Sequence, residues 1–259
     1  MTDPTDNPAL LTDPELLADL TVDGEPVVAI GARSRLHYAN IVPRWAEDLE
    51  ALELASYPTA DPEDLYNRVE LRALATDFGI GCFAGFDTEP ADPAESDDAA
   101  IAVDAGPKLV SMGLGLRTDF DFDSPQHTIH DIMGHTPDDS GDDPDGRWYY
   151  GTGISTRIEY RRRGIGREVY ALRKQVCRDL GLLGIVAGGV MPGYAGHIDT
   201  MTADEYIDAV RRGDLYDPTL SFQSANGFEL GPALENYITD PAVNNYAALI
   251  VWHNPAATT

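Results

Sequence analysis

One short segment concentrates the chemistry of this sequence. It reads Arg161-Arg162-Arg163-Gly164-Ile165-Gly166-Arg167, between an alternating run, Trp148–Thr156, and a helical repeat that opens at Ile165. Four arginines within seven residues form a local basic site. Two glycines let backbone approach a ligand without a Cβ clash. The amides that open a helix lack intrahelical partners, and the helix dipole adds positive potential. Strand, arginine-glycine turn and helix in this order can hold a pyrophosphate. Other phosphate and nucleophile motifs fail. A dinucleotide fingerprint needs a small residue where Val169 stands. Gly79-x-Gly81-x-x-Ala84 has the letters, but a strand follows it rather than a helix. There is no GxxxxGK[ST]. Gly153-Ile154-Ser155 runs on into Thr156-Arg157, so there is no GxSxG either.

The remaining polar clusters carry weaker signals. His127, His130 and His135 with Asp131 lack HExxH or Cys/His spacing, so no metal is expected. The acidic run Asp138–Asp145 does not fit a calcium loop. Aligning Gly146 to the loop glycine puts Gly141 where the first carboxylate belongs and Thr152 where Glu is needed. It reads as a solvated loop. Cys82 and Cys177 lie in apolar surroundings and read as buried free thiols.

The elements that must position the turn follow from periodicity. Residues 1–24 read as an acidic arm, and 25–259 as a single domain without repeat or linker. Pro26–Ile30 suits a first strand. Ile41, Val42, Trp45, Leu49, Leu52 and Leu54 predict a helix over Ala39–Ala55, and Asp61-Pro62 predicts the start of a second. Strands are predicted at Ile80–Phe86, Lys108–Leu116, Trp148–Thr156, Leu183–Ala187 and Ala247–Trp252, with a helix at Thr202–Arg212. Period two puts Trp148, Tyr150, Thr152, Ile154 and Thr156 on one face. Ile165, Val169, Leu172, Val176 and Leu180 describe one helix face, which Gly181 ends.

The 259 residues include 44 acidic and 18 basic side chains, a formal net charge of −26. Such a field repels phosphate backbones and excludes a general nucleic-acid binder. Lysine is reduced to Lys108 and Lys174. Dispersed acidity with lysine loss resembles proteins of salt-loving archaea, which stay hydrated when salt screens ordinary repulsion. Surface acidity is therefore no argument for a cationic substrate. No run of 18 apolar residues exists, and the start Met1–Asp6 lacks a secretion signal, so a cytoplasmic protein without membrane contact is expected.

Ile154-Ser155-Thr156-Arg157-Ile158-Glu159-Tyr160-Arg161-Arg162-Arg163-Gly164-Ile165-Gly166 resembles the acetyl-CoA signature of the GNAT N-acetyltransferase superfamily. Pro125-Gln126-His127-Thr128, Gly188–Tyr194 and the segment from Ser221-Phe222-Gln223 to Asn226-Gly227-Phe228 resemble the acetyltransferase half of bifunctional proteins with a carbon-nitrogen hydrolase domain behind it. The resemblance covers roughly 26–253. It implies an α/β (α+β) fold, a mostly antiparallel mixed sheet of about seven strands, splayed at the fourth and flanked by helices. It implies acetyl-CoA as donor, with Ile154, Ser155 and Thr156 on the acyl arm and Arg161, Arg162, Arg163, Gly164, Ile165, Gly166 and Arg167 on the pyrophosphate. Thr156, Ile158 and Arg162 depart from the usual Val, Pro and Gly. Many members carry a tyrosine acid four residues before the late Gly-Phe, where this chain has Gln223. A strand carboxylate base is also missing. Tyr194 and His127 are the candidates for acid and base, each against a reading as a packed or hydrogen-bonded structural residue. The expected activity is direct acetyl transfer to an amine (small molecule or peptide). The alternative is an acetyl-CoA-binding sensor or a partner module of a separate carbon-nitrogen hydrolase. A homodimer is compatible with either.

Overall fold

The computed structural model describes residues 9–58, 60–89, 106–134, 136 and 139–257. His135, Asp138 and most of the acidic run Asp87–Asp98 lie outside these residues, as do residues 1–8 of the arm.

The chain opens with β1 (Leu10–Leu11), a single turn α1 (Pro14–Leu17) and a small hairpin, β2 (Thr21–Val22) and β3 (Glu25–Pro26). Then follow β4 (Ala29–Gly31), β5 (His37–Asn40), α2 (Ala46–Ser56), α3 (Arg68–Asp77), β6 (Phe83–Asp87) and β7 (Lys108–Thr118). The second half contains α4 (Ile129–Ile132), β8 (Trp148–Thr156), α5 (Ile165–Asp179) and β9 (Gly184–Val190). It closes with α6 (Ala203–Arg212), α7 (Leu220–Ala225), β10 (Glu229–Leu234) and β11 (Ala247–His253).

Nine strands form one sheet in the order β1-β4-β5-β6-β7-β8-β9-β11-β10. That is two more than the seven expected, because β1 and β4 extend one edge. Every neighbouring pair is antiparallel except β8 and β9. That parallel pair is brief. Only Tyr149↔Ile185 and Tyr150↔Val186 are in register. On its outer side β8 stays paired with β7 as far as Ser111↔Thr156, and β9 with β11 as far as Ala247↔Val190. Two strands held on their outer sides and released on their inner sides open a wedge. The inner edges then present backbone groups that need partners other than each other.

The helix predicted over Ala39–Ala55 begins late. Tyr38 and Ala39 belong to β5, and α2 starts only after a turn opened by Pro43. Proline biases the residue before it away from helix, and Val42 is extended with ψ 153°. The apolar spacing ran straight through that break. The second helix also moves. Pro62–Asp64 makes one tight turn, and α3 starts at a capping box in which Asn67 and Glu70 satisfy each other's end amides. The α5 stripe is buried at Ile165, Val169, Leu172 and Val176. Leu180 is exposed, because the helix ends at Asp179 before the left-handed Gly181.

Candidate active site

The arginine-glycine turn joins β8 to α5. Gly164 caps α5 with φ +92°, a conformation that favours glycine, and a Cβ there would lie 2.9 Å from Arg33 Cδ. Gly166 sits close under α7: a Cβ would come 3.0 Å from Phe222 Cζ, a tight approach. Arg162 takes the left-handed region too, at φ +65°, which is uncommon for a residue with a side chain.

The turn is built on a second loop that sequence reasoning missed. The turn after β4 carries Arg33-Ser34-Arg35, and Glu168 in the first turn of α5 holds it. Glu168 is 1% exposed and accepts from Arg33 N (3.1 Å), Ser34 N (2.9 Å), Ser34 Oγ (2.5 Å) and Tyr38 Oη (2.8 Å). Arg33, Arg35, Arg162 and Arg163 thereby line one cavity of about 390 Å³, with Asp87 and Glu89 on its rim. Two arginines around Ser34, between two apolar strand runs, were the available signal. Arg163 also stacks over Tyr160 at 4.5 Å. Arg161 does something different. Its guanidinium donates to Ser56 O (2.8 Å) and Thr156 O (3.4 Å), tying the end of α2 to the end of β8.

Inside the wedge, β8 is irregular. Gly115 pairs with Gly151, but Leu114 pairs with Gly153, so Thr152 has no opposite number. This is a β-bulge, and it reverses the alternation of faces. A Cβ on Gly151 would meet Arg173 Nη1 of α5 at 2.8 Å. A Cβ on Gly153, two residues on, would have Glu53 Oε1 of α2 as its neighbour at 3.9 Å. The single face expected for Trp148 to Thr156 is therefore corrected: the bulge breaks it at Thr152. Arg173 is 2% exposed and donates to the carbonyls of Leu114 and Gly153, which flank the bulge.

Several buried polar atoms lack a well-formed hydrogen bond: Thr152 Oγ1 and Ser155 Oγ on β8, Glu53 Oε2 beside Gly153, Arg173 Nε beside Gly151, Gln223 Oε1 beside Gly189, and Tyr66 Oη and Ser111 Oγ. Burial pushes the Glu53 carboxyl up to about 8. Repulsion from Glu70 adds to this, and a hydrogen bond from the Tyr66 amide opposes it. Sequence reasoning missed Glu53. The signal was a carboxylate on the buried stripe of α2, between Leu49, Leu52 and Ser56.

The sequence-predicted proton-transfer residues lie apart. His127 Nδ1 is 2.7 Å from Pro125 O, which can only accept, so Nε2 accepts from Tyr150 Oη at 2.6 Å. The Tyr150 and Tyr237 hydroxyls are 3.1 Å apart. Burial lowers the His127 pKa, which favours neutral imidazole. Tyr237 lies over Gly188 of β9, where a Cβ would be 2.2 Å from its ring. His127 thus connects to the closed end of the wedge through two tyrosines. Tyr194 donates to Met201 O at 3.0 Å and packs against Tyr206. Gln223 is 6% exposed, with Oε1 2.4 Å from where a Cβ on Gly189 would be, so it faces β9 from α7. His130 pairs instead with Asp64 at 3.0 Å. Burial raises the thiols of Cys82 and Cys177 to about 12, so both stay protonated and inert.

Among the described residues, no group of three His, Cys, Asp or Glu is placed to hold a metal, and no helix is long and apolar enough to cross a membrane. No protein-family profile matches the chain. Over 151 residues the chain is 39% identical to the probable hydrolase YhcX of Bacillus subtilis, which is 57% of this chain and 29% of that protein. Over 151 residues it is 28% identical to the uncharacterized N-acetyltransferase YkwB of the same organism, 57% of this chain and 65% of that protein. The chain thus spans less than two thirds of either curated relative. Among solved structures it is similar to the loading GNATL domain of CurA from Lyngbya majuscula, with TM-score 0.65, 19% identity, and 84% and 97% of the two chains covered. It is also similar to the GphF GNAT-like decarboxylase in complex with isobutyryl-CoA, with TM-score 0.60, 18% identity, and 84% and 98% covered. A wedge between the one parallel pair among the described strands, an arginine-glycine turn at its mouth and these likenesses place the chain among proteins of the GNAT fold.

Proposed function

We propose that this protein transfers an acetyl group from acetyl-CoA to an amine. The observation that carries the reading is the wedge between β8 and β9, opening beside the glycine turn that starts α5. A CoA pyrophosphate would be held by the first α5 amides and by Arg162, Arg163 and Arg167. Backbone amides along Ile154–Thr156 would then receive the acyl arm as a replacement strand neighbour. The attacking nitrogen makes the thioester carbonyl an oxyanion. An inner-edge amide of β8 near Ser155 stabilises it, because a fixed dipole in a dry site needs no reorganisation. Holding both reactants in one wedge supplies the orientation term. His127, with Tyr150 and Tyr237, is the group best connected to move a proton from the closed end. Tyr194 has its hydroxyl engaged by Met201, so a role as acid requires it to leave that bond.

The test is thiol release from acetyl-CoA with spermidine, L-methionine, L-glutamate, tyramine and an Ala-Ala peptide, in molar potassium chloride. Amine-dependent release and a matching acetylated product support transfer. One structural neighbour is a GNAT-like decarboxylase, so malonyl-CoA belongs beside these. Carbon dioxide without amine would replace transfer by decarboxylation. Tight acetyl-CoA binding with no product would favour the second reading, a sensor or hydrolase-partner module. Gln223 and the similarity to the probable hydrolase YhcX motivate that reading.

A further inference from the structure

The wedge has a donor side that the turn explains. The side under α2 has buried polar groups that nothing in the fold uses. Glu53 is nine-tenths buried and more, at 4% exposed, with Oε2 unpartnered. The hydroxyls of Tyr66, Thr152 and Ser155 are buried without a well-formed hydrogen bond, Tyr66 facing Thr152 and Ser155 facing Tyr57. Leaving such groups without partners costs about 1–3 kcal/mol each, so several in one place indicate that something else supplies the partners. All four atoms are oxygens able to accept. A primary ammonium has three donors and no acceptor, so it matches them in kind. The bulge makes this possible. By shifting Thr152 out of register, it turns Gly153 toward α2, and the missing side chain leaves room for a carboxylate delivered from the helix.

We propose that Glu53 takes the proton from the acceptor, and that the acceptor is a primary amine seated between Glu53, Tyr66 and the Thr152 bulge. The inference rests on the transfer reading above. An ammonium nitrogen gives one proton to the Glu53 carboxylate. Its lone pair then attacks the thioester carbon, and the C=O pair moves to oxygen. On collapse the C–S bond breaks with its pair going to sulfur, and the thiolate takes the second proton from nitrogen. The products are the amide and CoA thiol, and Glu53 returns its proton to solvent. Tyr57 just after its own helix, Tyr66 and Glu70 from the α3 side, and, against Tyr57, Arg173 from α5 and Arg161 from the turn after β8 are the titratable and charged groups around it.

Two measurements test this, and they fail separately. The first is the infrared band of the protonated Glu53 carboxyl, wild type minus Glu53→Gln, titrated with methylamine at pH 7. The expected result is loss of the band as methylammonium pairs with the carboxylate, with no response to tetramethylammonium. An unchanged band, or an equal response to both cations, overturns the site even if acetyl transfer proceeds. The second is turnover with the fastest amine of the panel. Glu53→Gln should lose at least about 100-fold in kcat and the acid limb of its pH profile, while acetyl-CoA affinity stays within about twofold. Glu53→Ala carrying Gly153→Glu should regain part of the rate. A Glu53→Gln enzyme that keeps the acid limb overturns the proposal. If no amine turns over, the transfer reading fails, while a methylamine response would still establish the cation site.

Discussion

Two buried glutamates sit on the helices that pack on the sheet, and their treatment differs. Glu168 on α5 is 1% exposed and accepts four hydrogen bonds, all from the turn after β4 and from Tyr38 of β5. Glu53 on α2 is 4% exposed and keeps an oxygen with no partner. One carboxylate is consumed in building the turn that opens α5. The other is the one proposed above to meet a ligand. Burial alone does not separate structural from functional acids; the count of satisfied lone pairs does.

This contrast can be broken from either end. The largest effect belongs to Glu168→Ala, which strands the Arg33, Ser34 and Tyr38 donors. It should cost about 3–5 kcal/mol of stability, read by urea denaturation, and it should weaken acetyl-CoA binding by loosening the turn. Glu53→Gln should do the reverse at high pH. Native Glu53 keeps its proton up to about 8, whereas the unfolded chain releases it near 4.5. Between these values the native state binds more protons, so stability falls as pH rises through that window. The variant removes this loss and gains on the order of 2 kcal/mol at pH 9. A wild-type stability that is flat across the window would contradict this. Tyr38→Phe removes one donor from the saturated carboxylate and should cost about 2 kcal/mol. Tyr66→Phe removes a buried hydroxyl without a well-formed hydrogen bond, so it should leave stability unchanged or raise it by up to about 1–3 kcal/mol, while slowing turnover. Equal costs for the two tyrosine variants would erase the distinction between the glutamates.

The glycine turn proposed to hold the donor was legible in the sequence because its physics is local. Gly164, Gly166 and the arginines act within one turn, and the stripe from Ile165 to Val176 fixes the helix behind them. The strand boundaries of β8 were legible for the same reason. The acceptor half was not. A bulge is a matter of register between two strands, and nothing in the alternation of Trp148 to Thr156 announces that Thr152 lacks a partner. Glu53 enters the site only through that bulge, from a helix about a hundred residues earlier. The same holds for Arg33-Ser34-Arg35, whose role depends on Glu168 reaching across. Arg161 was assigned to the ligand from the resemblance, yet its guanidinium binds carbonyls at the ends of α2 and β8. The break at Pro43 could have been seen, since proline does not sit inside a helix without cost.

The central claim is that the turn opening α5 holds the donor. Calorimetric titration of acetyl-CoA in molar potassium chloride tests it most directly, on wild type, Gly166→Asp and Arg162→Ala/Arg163→Ala, each shown to be folded by thermal denaturation. The account predicts saturable binding by wild type, loss with Gly166→Asp and at least about tenfold weakening when both arginines are removed. Wild-type affinity in all three folded proteins, or no binding by any of them, would contradict it.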